Sequence, residues 1–493
     1  MLSLIALSLC VTAAPASPAL ATQAVNSGVQ AVRAGRIHTL GPAGVLENGT
    51  LLIQDGRIVA IGGLDMALPP GTTVTDFGSD AEIVPGFVAA DSGLAEGAPP
   101  ARTAAPGLLA LDNFDAYRPY VGALSAGVTS AYITPARDRL IAGQGAVVKL
   151  AGEGPEGRVL RAPAAIHGAI SAEARNTPGY WEPPVPATSD VGLGRPQEQL
   201  PHSAVGALLA LGQLLDGVQA GQELAAYGPR TVRELKPLVE AKLPWRLGAV
   251  EAYEIGALLD FAEQRRLPLL LDGAHYADVH AERLAALGVG VIYELPFDPN
   301  RGGADRGKDP EQPWPSLDVP GKLAAAGVKL AITPSNGSSL RDLRFAAMSA
   351  QRAGLSPEKA LASITRVPAE MLGVADRVGS LQSGRDADFV VLSGAPLAAG
   401  SAVLATFVDG RSVWTPESSS LNEDARNEAL ARGYDPRTAP LVLSVDELHL
   451  GDGRVLTPGE VLVQGGRISE VGSRVGRPAG ARVVSGTAAM PGM

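Results

Sequence analysis

The chain has 493 residues, 46% hydrophobic and 19% charged, with 51 acidic against 41 basic side chains and a formal net charge of -10. Without a Lys/Arg cluster to neutralise phosphates, no nucleic-acid partner is expected, and a small-molecule or peptide-like ligand fits the composition better. The 59 Gly and 39 Pro mark many turns, but the hydrophobic share excludes a disordered chain and allows a large core.

In chain order, the first feature is the apolar run from Leu2 to Val11. At about ten residues it is too short for a membrane helix of roughly 20, so no membrane span is expected. Ala19-Leu20-Ala21 fits a small-residue cleavage site, and residues 1–21 read as an export signal to the periplasm or cell exterior. Its n-region is weak, because no Lys or Arg precedes the run. Cys10, the one cysteine, lies inside it, so the remainder can form neither a disulfide nor a thiolate metal site.

Residues 32–84 alternate in short segments broken by Gly, Asn and Asp. Asp55-Gly56 between Thr50–Gln54 and Arg57–Ile61 is a two-residue hairpin signal. From 85 to 378 apolar runs such as Val128–Ile133, Ala146–Leu150, Pro268–Leu271, Val289–Tyr293 and Val328–Ile332 alternate with helical stretches such as Ile255–Gln264 and His280–Leu287. That alternation predicts a parallel sheet, closed or doubly wound. Ser356-Pro357 predicts a helix start, and a further helix from Pro368 ends at Gly373. Hairpin texture returns in 379–414, with a turn at Asp409-Gly410, and 415–440 reads as a polar linker.

Residues 441–493 then repeat the opening. Leu46–Gly62 and Leu456–Gly472 agree at eight of seventeen positions, including Gln54/Gln464, Gly56/Gly466, Arg57/Arg467 and Ile58/Ile468. His38 and His449 precede the two copies at nearly equivalent places, and Pro85-Gly86 and Pro491-Gly492 close them. The segment reads as the truncated start of a second unit, a partial β-sandwich.

The run through Asp55-Gly56-Arg57-Ile58-Val59-Ala60-Ile61-Gly62, Val84-Pro85-Gly86-Phe87, Gly354-Leu355-Ser356-Pro357-Glu358-Lys359-Ala360 and Ser383-Gly384-Arg385-Asp386-Ala387-Asp388-Phe389 resembles the amidohydrolase superfamily, nearest its imidazolonepropionase-like, secreted members. The likeness also holds at Gly143–Leu150. It implies an α/β protein: a distorted (β/α)8 TIM barrel over 85–378, with a composite β-sandwich from 32–84 and 379–414. Family members hydrolyse amide and related C–N bonds with one or two divalent metals at the barrel mouth. A metal is needed there because bound water must fall from a pKa of about 15.7 to near 7 to attack at neutral pH.

The ligand positions implied by the resemblance are replaced. His-x-His is expected after the Pro-Gly, but the chain reads Phe87-Val88-Ala89-Ala90-Asp91-Ser92-Gly93. The fifth and sixth strands place Gly248 and Gly273 where histidines belong, and the eighth gives Asn336 for the expected Asp. No metal cofactor is therefore expected from this chain, and the barrel reads as a degenerate pseudoenzyme. The alternatives are an active hydrolase with zinc, manganese or iron at a relocated site built from Asp91, Asp272, His275, Asn336 and His167, and a metal-free protein that holds a small or peptide-like ligand. A homo-oligomer is compatible with the sequence.

Among the other singled-out residues, His38 and His449 read as structural or exposed. His167, ending an apolar run, looks into the mouth or sits in the core. Lys149 reads as a salt-bridge partner, and Glu251–Glu254 as the solvated start of a helix. Gly143-Gln144-Gly145 lacks the Lys-Ser/Thr of a phosphate loop and reads as a turn into a strand.

Overall fold

The computed structural model describes residues 28–97, 102–137, 139–175, 201–296, 315–334, 340–416, 440–464 and 467–489. The expected signal segment, nearly all of the linker and Asn336 lie outside them. The chain divides into a unit ending at Pro416 and a second unit beyond it.

The first unit opens with β1 (Gln30–His38), β2 (Val45–Gln54), β3 (Arg57–Gly63), β4 (Thr73–Asp76) and β5 (Glu82–Pro85). The β2–β3 turn forms because Asp55 and Gly56 both take positive φ, 50° and 76°, the twist that two-residue hairpins require. The barrel follows: β6 (Phe87–Ala89), β7 (Val128–Ile133), β8 (Gly143–Lys149), β9 (Val159–Ala169), β10 (Trp245–Ala249), β11 (Leu269–Gly273), β12 (Gly290–Glu294) and β13 (Leu330–Thr333). After the helices Leu343–Arg352, Pro357–Ala362 and Arg366–Met371, the chain returns as β14 (Phe389–Leu392), β15 (Val403–Val408) and β16 (Arg411–Trp414).

One eight-stranded sheet joins both ends of this unit in the order β16-β15-β14-β5-β1-β2-β3, with β4 also on β1. The junction is antiparallel, Phe389 opposite Pro85 and Leu392 opposite Glu82. The sheet folds over one core in which Val32, Ile37, Leu51, Ile53 and Ile58 meet Phe389, Val391, Ala405 and Phe407. Neither end carries enough apolar surface to form this core alone.

The barrel is a nearly closed eight-stranded sheet in strict chain order from β6 to β13. Seven strands are parallel and β8 runs antiparallel to both neighbours. The reversal follows from the short, helix-free link between β7 and β8, since a parallel return needs a crossover of about a dozen residues or more. The edges of β6 and β13 are bridged by a loop instead of by each other. The Val88 N–H donates to the Ile364 carbonyl (2.8 Å) and the Ile332 N–H to the Ser363 carbonyl (3.0 Å).

The second unit is a five-stranded sheet of β17 (Leu441–His449), β18 (Val455–Leu456), β19 (Gly459–Gln464), β20 (Arg467–Gly472) and β21 (Arg482–Ala489). Its order is β18-β17-β19-β20, with β21 parallel to β17.

Candidate functional site

Alternation along the barrel strands decides which side chains face inward. Trp245, Leu247 and Ala249 of β10, and Leu269 and Leu271 of β11, pack into the outer core. Arg246 and Asp272 therefore face the other way, as do Tyr132 on β7 and His167 on β9. The register sets Arg246 beside His167 and Gly248 beside Asp272.

The centre of this inner cluster is Arg246, fully buried. Its Nη2 donates to Asp91 Oδ1 at 2.8 Å and its Nε to Asp272 Oδ2 at 2.9 Å. Nη1 donates to the Ala90 carbonyl, and the guanidinium lies 4.1 Å from the Tyr132 ring centroid. A planar fork with five donors can serve two carboxylates and a carbonyl while stacking on an aromatic face, which an ammonium cannot. Burial works against the guanidinium's charge, but Asp272 and Asp91 outweigh it and its pKa is raised. Arg137 closes the other side of Asp91, at 2.7 Å from Oδ2, and reaches Glu96 at 3.0 Å.

His167 lies next to this cluster, 3.3 Å from the Tyr132 hydroxyl through Nδ1. Its pKa sits well below the ordinary histidine value, first because the ring is buried and then because Arg246 and Arg137 repel a second cation. Burial also pushes the Tyr132 phenol up. Both groups stay neutral at neutral pH.

The other expected site residues divide. Asp91 and Asp272 meet at one guanidinium. Gly248 and Gly273 lie at the ends of β10 and β11, where a Cβ on Gly248 would come within 3.0 Å of Ala169 and Gly273 takes φ +82°. His275, in the loop after β11, meets the Tyr293 ring edge-on at a centroid distance of 6.2 Å. Asn336 lies outside the described residues. No group of three or more His, Cys, Asp or Glu positioned to hold a metal ion exists among the described residues. Among the described residues the inward-facing donors are already engaged: Asp91 and Asp272 with arginines, and His167 with the Tyr132 phenol.

Arg246 is the residue that sequence reasoning passed over. The signal was an arginine in the middle of an otherwise apolar barrel strand, Trp245-Arg246-Leu247-Gly248-Ala249. A second correction concerns Glu254, expected to be solvated. It is 1% exposed, forms a capping box with Glu251 and is ion-paired to Arg175. A helix N-terminus against the barrel leaves orphan amides, which the buried carboxylate accepts.

Lys149 has a second set of partners. Its Nζ is 2.8 Å from Asp386, 3.0 Å from Asp388 and 2.6 Å from Asp409. The ammonium thereby ties β8 to the returning strands. Of the remaining histidines, His38 pairs with Glu82 (2.6 Å), His280 donates to the Ala252 carbonyl (2.8 Å) and His202 is exposed.

Residues 272–413 match the amidohydrolase family. An amidohydrolase from Thermotoga maritima superposes with a TM-score of 0.64 at 22% identity, covering 78% of this chain and 100% of that one. A prolidase crystallised with N-methylphosphonate-L-proline gives 0.51 at 18% identity, with the same coverage of this chain and 100% of its own. At these identities the likeness is one of fold. Amidohydrolase tasK of Hapsidospora irregularis is 32% identical over 153 residues, spanning 27% of this chain and 16% of that protein.

Proposed function

We propose that this chain is an amidohydrolase-fold protein whose barrel interior carries a resident guanidinium where the family it resembles places a metal, and that it does not hydrolyse C–N bonds by metal chemistry. The observation that carries this reading is Arg246, fully buried between Asp91 and Asp272. A cation already neutralises the carboxylates that would otherwise attract one. Bringing a divalent ion to the same oxygens would set two like charges a few ångströms apart in a buried site, at a cost of several kcal/mol.

Among the described residues, the groups inside the barrel offer no free general base. An attacking water needs a base that can take its proton near neutral pH, and both inward carboxylates are held as ion-pair acceptors. His167 is neutral but bound to Tyr132.

Metal analysis of the purified chain, with hydrolysis assays on dipeptides and N-acyl amino acids in the presence and absence of a chelator, tests this. Substoichiometric metal and no chelator-sensitive turnover are expected. Zinc, manganese or iron at near one equivalent together with chelator-sensitive hydrolysis would overturn the reading in favour of a relocated metal site. The same reading takes residues 1–21 as an export signal, which N-terminal sequencing of exported protein checks.

A further inference from the structure

A cavity of about 920 Å³ lies in the first unit, outside the barrel interior. Its wall takes residues from β1 and β5, from the loop between β1 and β2, from the helices Pro357–Ala362 and Arg366–Met371, and from the segment after β14. None of Asp91, His167, Arg246 and Asp272 lines it. Small-molecule sites enclose roughly 300–1,000 Å³ and are mostly apolar with a few placed polar groups, and this one has that make-up. Leu40, Pro42, Leu361, Ala362, Pro396 and Leu397 form the apolar part.

The charged side chains of the wall are not equivalent. Arg36 is held by Glu47 (3.0 Å) and Glu82 (3.3 Å), His38 by Glu82 (2.6 Å) and Arg366 by Glu370 (2.8 Å). Glu358 is exposed to water in the first turn of its helix. Arg385 is half-buried and makes no ion pair among the described residues. Its guanidinium donates through Nη1 to the Ser380 hydroxyl, which also accepts from Gln382 (2.7 Å). A neutral hydroxyl orients the fork without neutralising it. The Arg385 pKa accordingly lies below the ordinary arginine value, because burial outweighs the pull of Asp376 and Glu370 from beyond ion-pair reach. Arg246 shows the opposite balance: it is wholly buried, yet two touching aspartates raise it. The backbone of Arg385 is fixed on both sides, its N–H donating to the Gln382 carbonyl (3.2 Å) and its carbonyl accepting from the Ile58 N–H (2.9 Å). The fork is therefore held in place before any ligand arrives.

We propose that this cavity binds a small apolar monocarboxylate, whose carboxylate takes the Arg385 fork and whose hydrocarbon body lies against Leu40, Leu361 and Leu397. A planar guanidinium offers a carboxylate two parallel N–H donors, a charge-assisted pair stronger than neutral hydrogen bonds. A cationic ligand fits less well, since Glu82 and Glu370 already hold cations and Arg385 would repel a further one. A second carboxylate on the ligand would have to lose its water against the apolar wall. The site stands whether or not the barrel interior hydrolyses anything.

Isothermal titration calorimetry of the full chain with octanoate tests this, beside acetate and 1-octanol, which lack the body and the charge respectively. Octanoate should bind one to one and at least ten-fold more tightly than either. Amide hydrogen exchange should slow on binding over residues 39–45, 357–362 and 395–398. Arg385→Gln should weaken octanoate at least ten-fold, and Ala398→Trp, at an exposed position of the wall, should weaken it comparably without touching the guanidinium. Absence of saturable octanoate binding to the native chain would overturn the proposal. So would octanoate binding that Arg385→Gln leaves unchanged, 1-octanol binding as tight as octanoate, or protection over residues 245–249 and 269–273 in place of the cavity wall.

Discussion

Two of the fully buried basic side chains in the first unit, Lys149 and Arg246, are each surrounded by aspartates, and the difference between them is one of geometry and of which neighbour is perturbed. Lys149 offers a compact charge with three donors, and it collects three carboxylates from the returning strands, with Arg377 joining at Asp386 (2.7 Å). Of these carboxylates Asp409 is 35% exposed, while Asp386 and Asp388 are buried. Burial pushes Asp388 up to about 6, against the pull of Lys149 and with Asp409 adding to the rise. Arg246 offers a flat fork, and with Arg137 it faces Asp91, Asp272 and Glu96. Here too one carboxylate, Glu96, is 35% exposed, and the group that is perturbed is the neighbouring His167. Two buried cations with similar neighbours thus build one junction sensitive to carboxylate ionisation and one centre that suppresses a histidine.

The comparison breaks most sharply at Lys149→Met. That change leaves Asp386, Asp388 and Asp409 close together without their shared cation, and a loss of about 3–5 kcal/mol is expected from urea denaturation at pH 8. Because Asp388 takes up its proton near 6, the loss should be smaller at pH 5. An equal loss at both pH values would show that the junction does not depend on ionisation.

Arg246→Leu should cost less, about 2–4 kcal/mol, because Arg137 still holds Asp91 while Asp272 loses its partner. In this variant His167, freed from one repelling cation, should titrate closer to its ordinary value by NMR. An unmoved His167 would mean that burial alone sets it.

The two centres oppose each other in acid, and single substitutions separate them. His167 is neutral when folded but takes a proton below about 6.5 when unfolded, so its contribution is intact above that pH and declines as pH falls. Asp388 does the reverse: its folded pKa is raised from 3.8, so stability is gained as pH falls through about 6. The Asp388→Asn chain should therefore lose up to about 2 kcal/mol between pH 6.5 and 5, by the 1.36 kcal/mol per pH unit of a single proton. The His167→Gln chain should gain stability over the same range. Parallel profiles for both would remove the distinction.

Asp409→Asn should have the smallest effect, about 1 kcal/mol or less, since that carboxylate is 35% exposed and Lys149 keeps two others. A larger loss would make the exposed member the anchor of the junction.

Local chemistry was readable from the sequence where it acts locally. Asp55-Gly56 and Asp409-Gly410 both form turns with positive φ, and the repeat around Gln54 and Gln464 gave matching strands. The barrel and the composite sheet followed from alternation and from the family pattern. Asp91 and Asp272 could be named as candidates because their strands could be placed. Their partner was not, because Arg246 acts across 155 residues to one and 26 to the other. The same limit applied to Lys149, whose salt-bridging role was anticipated while its partners lie 239 and 260 residues on. The reversed β8 was missed for a different reason: periodicity reports a strand but not its direction.

The loop at Ser363 and Ile364 that joins the barrel's two edges has a consequence for synthesis. Until those residues leave the ribosome, β6 and β13 both present unpaired strand amides, however many of the intervening strands have already formed. The nascent barrel is an open, curled sheet for nearly its whole length, closed last by a segment that belongs to none of its strands. The first sheet waits longer still, because β14 follows the entire barrel. Such long-range closure slows folding and prolongs the exposure of sticky edges. An arrested chain released before residue 363 should therefore aggregate or remain bound to chaperones, whereas one released after residue 416 should be protease-resistant.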